Sequence, residues 1–579
     1  MLSATHFQRR IILVVLLIAA ALAANDYWWQ MSRPVVLPDA PGGRIACVSY
    51  APYRKAGETP FDAHFLVAPE RIEEDLAALA RRFDCVRTYS VGAGLDAVPA
   101  IARRHGMKVL LGIWLSRNPV DNERELRRGI ALAQENRDVI PAVIVGNEVL
   151  LRGELPQSTL AAYIRQVGAA TGLPVTYADV WEFWLRYPEV ARAVSFVTIH
   201  ILPYWEDEPV GVSEALAHVR SIRQQMQAAF PDRDILIGET GWPSAGRQRR
   251  EAVPSLVNQA RYIREFLTWA NANGIHYNVI EAFDQPWKRK LEGTVGGFWG
   301  LYNAALEEKF PLQGPVVEEP EWVQGIVAGL VLALAWAACG VLFARSRLWG
   351  TAILFVAGDA VGATLWAQWR HMGMANRNWG ETVLTGVLGL WAFLGSAVAA
   401  WVLARWVDTP NAPLLALPRP LASWRSRLPR GVASTALFLG VLRMTWLFAV
   451  TVMDLLLVFD PRYRDFPSLL FAAPGGALVL LSIITSATEV GSEVALEERL
   501  CALWLLVASV LIVVIERPSN LSADFWALLA GVCALVALRQ TRSSHEDLVL
   551  PAGQHERAHG ERDGTGLVAV QDEPRPTDG

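Results

Sequence analysis

The sequence predicts an α/β fold, a (β/α)8 TIM barrel, followed by an all-α polytopic membrane domain. Three observations predict it. Eight short apolar runs alternate with amphipathic stretches between residues 44 and 310. Two of those runs end abruptly in glycine and then a carboxylate, at Glu148 and Glu239. Beyond Glu321 the chain turns to long apolar stretches rich in Leu, Val, Ala and Trp. A chain of 579 residues is too long for one domain, and the apolar excess behind its 52% hydrophobic content lies in the second half.

The chain opens on Arg9-Arg10 and an unbroken apolar run from Ile11 to Ala24. That run is short of the ~20 residues a span needs. It fits a signal-peptide core with a small-residue site at Ala21-Leu22-Ala23, or an uncleaved anchor reaching the interfacial aromatics Tyr27-Trp28-Trp29. Residues 1–30 are expected to be the anchor, with the basic flank inside and the following chain exported.

Strands are expected at Arg44–Tyr53, Cys85–Val91, Lys108–Leu115, Ala142–Val149, Pro174–Val180, Val194–Leu202, Asp234–Trp242 and His276–Trp287. Between them Ile72, Leu76, Leu79 and Phe83 keep helical spacing, as do Leu216, Val219, Ile222 and Met226. Asp121 and Ser213 are candidate N-caps. Eight such units over about 250 residues match a closed barrel. A doubly wound open sheet is the alternative, weakened because no Gly-rich phosphate loop follows the first strand. No closing helix is evident after the eighth strand. Residues 311–321, with Pro311, Pro315 and Pro320, read as a linker.

Residues 322–539 hold about seven apolar spans, near Trp322–Phe343, Leu348–Trp369, Thr382–Ala404, Gly431–Phe459, Leu469–Thr488, Cys501–Ile515 and Phe525–Leu538. Arg345 and Arg347, the cluster Arg405, Arg419, Arg425, Arg427 and Arg430, and Arg539 with Arg542 all fall on the side of Arg9 and Arg10. The positive-inside rule then puts the barrel outside and residues 540–579 inside, as a disordered cytoplasmic tail. Asp359, Arg443 and Asp454 interrupt the spans. The expected reading is a buried pair of Arg443 with one of the aspartates. A conduit through the helices is the weaker one.

The net charge of −4, with no basic run broken by aromatics, argues against nucleic acid. The histidines lack ligand spacing, so no metal and no cofactor are expected. Cys47 and Cys85 fall at similar heights in adjacent strands. A disulfide would need an oxidising compartment, and two buried thiols are the expectation.

The chemistry is expected where parallel strands end, at the mouth of the sheet. Val143-Ile-Val-Gly-Asn-Glu-Val149 closes the fourth strand, and Ile235-Leu-Ile-Gly-Glu-Thr-Gly-Trp-Pro-Ser244 the seventh. These two strings resemble glycoside hydrolase family 17, retaining (β/α)8 enzymes acting on β-1,3-glucans. The likeness covers roughly residues 44 to 303. It implies Glu148 as acid/base and Glu239 as nucleophile, with Asn147 on the sugar 2-hydroxyl. It also matches Lys288 and Glu292 to an acidic-basic cluster near the nucleophile, in the stretch that holds Glu281 and Asp284. The chain departs from plant members at Gln285 and in the Pro286-Trp287 insertion. There it resembles bacterial membrane-bound members, implicated in β-1,3-glucan remodelling and β-1,6 branching.

Two carboxyl groups in opposite protonation states cleave a glycosidic bond with retention when they stand about 5–5.5 Å apart, the separation expected here. Arg87 and Tyr204 are candidate partners that keep Glu239 ionised. Aromatics crowd the strand ends and suit the flat C–H faces of sugars: Tyr50, Tyr53, Tyr89, Trp114, Trp181, Trp184, Tyr204, Trp205, Trp242, Trp287 and Trp299.

These features point to a membrane-anchored enzyme that cleaves β-1,3-glucan and transfers the glycosyl unit to another glucan. The alternatives are an endo-hydrolase, an inactive glucan-binding or export-coupling protein, and a sugar-nucleotide synthase. The last is disfavoured because no nucleotide-binding domain is visible. The expected setting is a bacterial cytoplasmic membrane with the barrel on the periplasmic side. The expected partners are β-glucan, membrane lipid, and a glucan synthase or export apparatus.

Overall fold

The computed structural model describes residues 2–546 apart from 43, 63, 410, 411, 413, 416–433, 461–463 and 486–495. Arg419, Arg425, Arg427 and Arg430 of the basic cluster lie outside the described residues, as does the tail from residue 547.

Eight parallel strands form one sheet in sequential order: β1 Val48–Ser49, β2 Cys85–Arg87, β3 Lys108–Ile113, β4 Ala142–Asn147, β5 Val175–Val180, β6 Val197–His200, β7 Ile235–Glu239 and β8 His276–Tyr277. Beyond β8, Val279 bridges Val48, with Ser49 N donating to Val279 O and Val279 N to Cys47 O at 2.9 Å each. The sheet thus curls back onto its first strand in a TIM-like arrangement. The ladders are shorter than the apolar runs, though single backbone bonds continue past them at the mouth, as from Tyr50 N to Arg87 O at 2.8 Å and from Ile201 N to Glu239 O at 2.9 Å. β4 is buried along its whole length, as a strand covered on both faces must be.

The helices between strands present the expected faces. Ile72, Leu76 and Leu79 are buried on Pro69–Leu79, and Val219, Ile222 and Met226 on Val212–Ala229. The caps differ from expectation. Asn118, one turn before Asp121, accepts from Val120 N at 3.0 Å, and Gly211 rather than Ser213 occupies the second cap. Cys47 and Cys85 are joined as a disulfide, their Cα atoms 4.3 Å apart, where two thiols were expected. Neighbouring parallel strands bring the side chains together at one height.

After β8 only the short helix Lys288–Leu291 and a turn of 3-10 helix at Thr294–Gly297 intervene before the chain leaves the barrel. Residues 311–321 are not a free linker. The buried Arg264 donates to Pro311 O at 3.1 Å and Gly314 O at 2.7 Å, and Val316 bridges Val35. The Glu318 carboxylate accepts from Leu256 N and Val257 N, both at 2.9 Å, and so satisfies the first turn of the Leu256–Ala272 helix.

The other region is helical: Leu2–Met31, Val323–Leu342, Leu348–Ala375, Trp379–Asp408, Ser434–Phe459, Ser468–Ile484, Leu496–Glu516 and Leu521–Glu546. Seven of these are long and apolar enough to cross a membrane; the exception is Ser468–Ile484, of 17 residues with Pro474 inside. The bundle has two ends. His371 meets Asp465 at 2.8 Å and Arg464 meets Glu516 at 2.8 Å near the barrel. At the far end Arg9 donates to Ile483 O at 2.9 Å and Arg10 to Thr409 O at 2.7 Å. The short helix therefore runs the depth of the bundle, from Asp465 at one end to Ile483 at the other.

The first helix packs along one face of this bundle, with most of its apolar residues exposed. Leu13, Leu17 and Trp28 are buried, and Trp28 Nε1 donates to Ala363 O at 3.1 Å. Gly325 lies flat on the Trp28 ring; a Cβ there would fall 2.0 Å from it, so only glycine admits this approach. The charged positions pair differently from expectation. Arg443 reaches Glu498 at 2.9 Å, not an aspartate. Asp359 accepts from Asn25 and Asp454 from Trp526 Nε1, both at 2.6 Å. The sequence reading overlooked Glu498 because it lies in the first turn of its helix, just outside the apolar run.

Candidate active site

Four strands end in polar residues that converge at the mouth. Arg87 closes β2, Asn147 closes β4 with Glu148 next, His200 closes β6 and Glu239 closes β7. Local irregularities aim the two carboxylates. The β4–β5 register shifts between Ile144 and Asn147, and the β6–β7 register between Ile199 and His200. Such bulges re-aim side chains at barrel rims. Glu148 adopts φ +52°, a left-handed conformation costing about 1–2 kcal/mol in a residue with a Cβ. Its N–H is held by Ala178 O at 2.7 Å, and Leu150 N and Leu151 N donate to Tyr177 Oη at 2.9 Å and Asp179 Oδ2 at 3.3 Å. The glycine before Glu239 has a different cause. A Cβ on Gly238 would stand 2.4 Å from Thr198 Cγ2 on β6.

Glu239 is 4% exposed, and its contacts fall on one oxygen. Oε1 accepts from Arg87 Nη1 at 2.8 Å and from Tyr89 Oη at 2.9 Å, with His200 Nε2 at 3.6 Å. No described residue donates to Oε2. Burial alone would push this carboxyl up. The charges of His200, Arg87 and Lys288 and the Tyr89 hydroxyl outweigh it and hold the group below its ordinary value. Arg87 is itself fixed by Gly238 O at 2.9 Å and by the Asn147 Oδ1 oxygen, which leaves the Asn147 amide nitrogen to a ligand.

His200 stands between the two carboxylates, fully buried, with Nδ1 2.9 Å from Glu148 Oε1. One oxygen of Glu148, one ring nitrogen of His200 and one oxygen of Glu239 lie within 4.8 Å of one another. That spacing would suit a metal ion, but Glu239 Oε1 already faces the Arg87 guanidinium, which opposes a second cation there. Glu148 is the more open carboxylate, its side chain 25% exposed against 6% for Glu239.

A second cluster borders the first. Lys288 Nζ lies 3.0 Å from both oxygens of Glu281. Burial disfavours its charge, yet Glu281 and Glu292 keep it protonated, and burial pushes Glu292 up. Lys288 therefore supplies standing positive charge beside Glu239.

The structure gathers Arg87, Tyr89, Asn147, Glu148, Glu239, Glu281, Lys288 and Glu292 around one centre. It places other expected residues in the packing. Tyr50 is buried with its hydroxyl on Asp75 at 3.0 Å, Trp184 is buried with Nε1 on Thr198 O at 2.8 Å, and Trp242 Nε1 reaches Val253 O at 3.0 Å. Tyr204 donates to Arg247 O rather than to Glu239, and Asp284 pairs with Lys309 at 2.8 Å. The reason is shared: once a strand leaves the sheet the chain turns under itself, and alternate side chains fold back into the core. Trp205, stacked at 6° on the buried Trp299, and Trp287 remain partly open. Sequence reasoning missed His200, Tyr177 and Asp179. His200 carried the same signal as Glu239, a polar residue ending an apolar strand.

The profile of the BtgE/BtgC glycoside hydrolase domain matches residues 47–300. Those residues are similar to that glycoside hydrolase domain. Among curated proteins, the chain is 26% identical over 265 residues to a probable β-glucosidase of Aspergillus fumigatus, covering 44% of this chain and 45% of that one. It is 27% identical over 269 residues to a glucan 1,3-β-glucosidase of Arthroderma benhamiae, covering 41% and 82%. The chain thus spans about half the length of the first of these relatives. Among solved structures, a family 17 β-1,3-glucanosyltransferase from Rhizomucor miehei aligns with 25% identity and a TM-score of 0.41, covering 47% of this chain and 98% of that one.

Proposed function

We propose that the protein is a membrane-anchored retaining β-glucan enzyme that cleaves β-1,3-glucan and passes the glycosyl unit to a second glucan. The observation that carries this reading is the approach of Glu148 and Glu239 to within 4.8 Å, oxygen to oxygen. Retaining pairs stand about 5–5.5 Å apart, whereas inverting pairs leave about 6.5–9.5 Å for a water. Glu239, held ionised by Arg87 and Lys288, is the nucleophile and attacks the anomeric carbon through its unengaged Oε2. Glu148, more open and beside the leaving group, donates the proton to the glycosidic oxygen and then takes one from the acceptor. The Asn147 amide nitrogen holds the sugar 2-hydroxyl.

The glycosyl-enzyme then meets water or a sugar hydroxyl. Transfer prevails where an acceptor is held in line, since good orientation is equivalent to effective molarities of about 10⁵ M or more. Trp205 and Trp287, half-buried aromatics at the mouth, supply that platform. The apolar helices and the arginines at the far end of the bundle support a chain crossing the membrane with the barrel outside. The Gln285-Pro-Trp287 departure supports a bacterial cytoplasmic membrane and β-1,6 branching rather than digestion. A membrane-bound enzyme of this kind fits beside a glucan synthase or export apparatus. The test is incubation of the full-length protein with a β-1,3-gluco-oligosaccharide and analysis of products by size and linkage. Products longer than the substrate are expected; only shorter ones would replace transfer with hydrolysis.

A further inference from the structure

The mouth of the barrel is turned toward the helical region. The loops after β7 and β8 are clamped to it by two arginines. Arg247 reaches Ala375 O at 3.0 Å and Glu381 at 3.1 Å, and Arg289 reaches Asn376 O at 2.7 Å and Met374 O at 3.2 Å. These carbonyls end the Leu348–Ala375 helix, where unpaired oxygens and the helix dipole favour cations. Further round, Glu208 after β6 lies 3.4 Å from Arg517, on the turn between the last two helices.

Between barrel and helices lies a cavity of about 910 Å³. Glu58, Trp287 and Lys290 line it from the loops after β1 and β8, and Trp369, Gly373 and Asn378 from the helices. Its size lies in the ~300–1,000 Å³ range of ligand sites. Trp287 ties it to the catalytic centre, because the next residue, Lys288, holds Glu281 and acts on Glu239.

We propose that this cavity binds a stretch of β-glucan beyond the sugars at the cleavage point, so that the helical region forms part of the substrate-binding surface. The inference rests on the reading of the site as glucan-active. Two indoles, one from each region, offer flat faces to sugar C–H surfaces. Of the four charged residues in the cavity wall, Glu58 pairs with Arg71 at 3.2 Å and Arg377 with Glu381 at 2.7 Å, Arg289 donates to the helix-end carbonyls, and Lys290 is exposed. The two indoles, rather than these charges, favour a neutral polyhydroxyl chain over an anionic lipid headgroup. The Lys290 ammonium and the Asn378 amide nitrogen remain for hydroxyls, the Asn378 oxygen being taken by Glu381 N at 3.0 Å.

The experiment uses the full-length protein in detergent or nanodiscs, with short and long β-1,3-gluco-oligosaccharides as probes. Trp369→Ala removes one platform. Gly373→Trp fills the cavity from the helix, since a Cβ at Gly373 meets nothing within 4 Å. The two variants act from opposite directions, so misfolding of one leaves the other to decide. Trp349→Ala, 64% exposed at the opposite end of the same helix, is the control. The ratio of kcat/KM for long over short chains is expected to fall about tenfold in both cavity variants, as for one lost stacking contact, and to stay at the wild-type value in the control. A wild-type protein with no activity on either chain overturns the glucan reading itself. An active wild type with the ratio unchanged in the folded cavity variants overturns only this inference.

Discussion

Arg87 on β2 and Glu239 on β7 meet across the barrel mouth, guanidinium to carboxylate at 2.8 Å, both almost fully buried. The sheet order keeps these strands apart, so the pair exists only because the sheet curls. Replacing Arg87 by Met keeps its bulk and removes the charge. The Glu239 carboxyl, now held below its ordinary value, should rise. Since Glu239 must be ionised to attack, the acidic limb of the kcat/KM profile should move to higher pH. At the optimum the rate should fall about 10²–10³-fold, the effect of losing one fixed electrostatic partner. A lower rate with an unmoved acidic limb would assign Arg87 to structure alone.

The two glutamates should fail differently. Glu239→Gln removes the nucleophile and should abolish activity on every substrate. Glu148→Gln should spare the first step on activated aryl β-glucosides, whose leaving groups need no proton. Identical behaviour of the two variants on such a substrate would contradict the assigned roles.

His200 touches Glu148 at 2.9 Å and is a positioning residue. His200→Ala should slow substrates that need protonation about tenfold more than activated ones, by loosening the acid. A uniform loss across leaving groups would place the effect of the ring on Glu239, 3.6 Å from Nε2, rather than on the acid.

The Cys47–Cys85 bond joins β1 and β2 across 38 residues. Loops of this length contribute about 2–4 kcal/mol. A reductant, or Cys85→Ala, should lower the thermal midpoint of the barrel, read by the tryptophan signal. No change on reduction would show that the thiols are free in the folded protein, and the oxidising compartment expected outside the membrane would lose that support.

The curled parallel sheet and the place of Glu148 and Glu239 at its mouth were legible in the sequence because both rest on local signals. An apolar strand ending in Gly-Asn-Glu or Gly-Glu announces its own place at the mouth. The long apolar helices were legible for the same reason. Partners across the fold were not. Glu498 as the mate of Arg443, and the clamp of Arg247 and Arg289 on the end of one helix, depend on how separate elements dock. Aromatics near strand ends were read as a cleft by composition alone. Trp184 and Trp205 lie close in sequence terms to their strands, yet one is fully buried and the other partly open. Only the direction in which each loop turns decides between them.

Retention through Glu239 requires a covalent glycosyl-enzyme there. The direct measurement is the intact mass of the full-length protein after incubation with a slow β-glucosyl inactivator carrying a good leaving group, followed by peptide mapping. A mass increase of one glycosyl unit is expected, carried by the peptide around Ile235–Glu239 and lost in Glu239→Gln. An active enzyme that accumulates no adduct, or carries it on another residue, would contradict retention through Glu239.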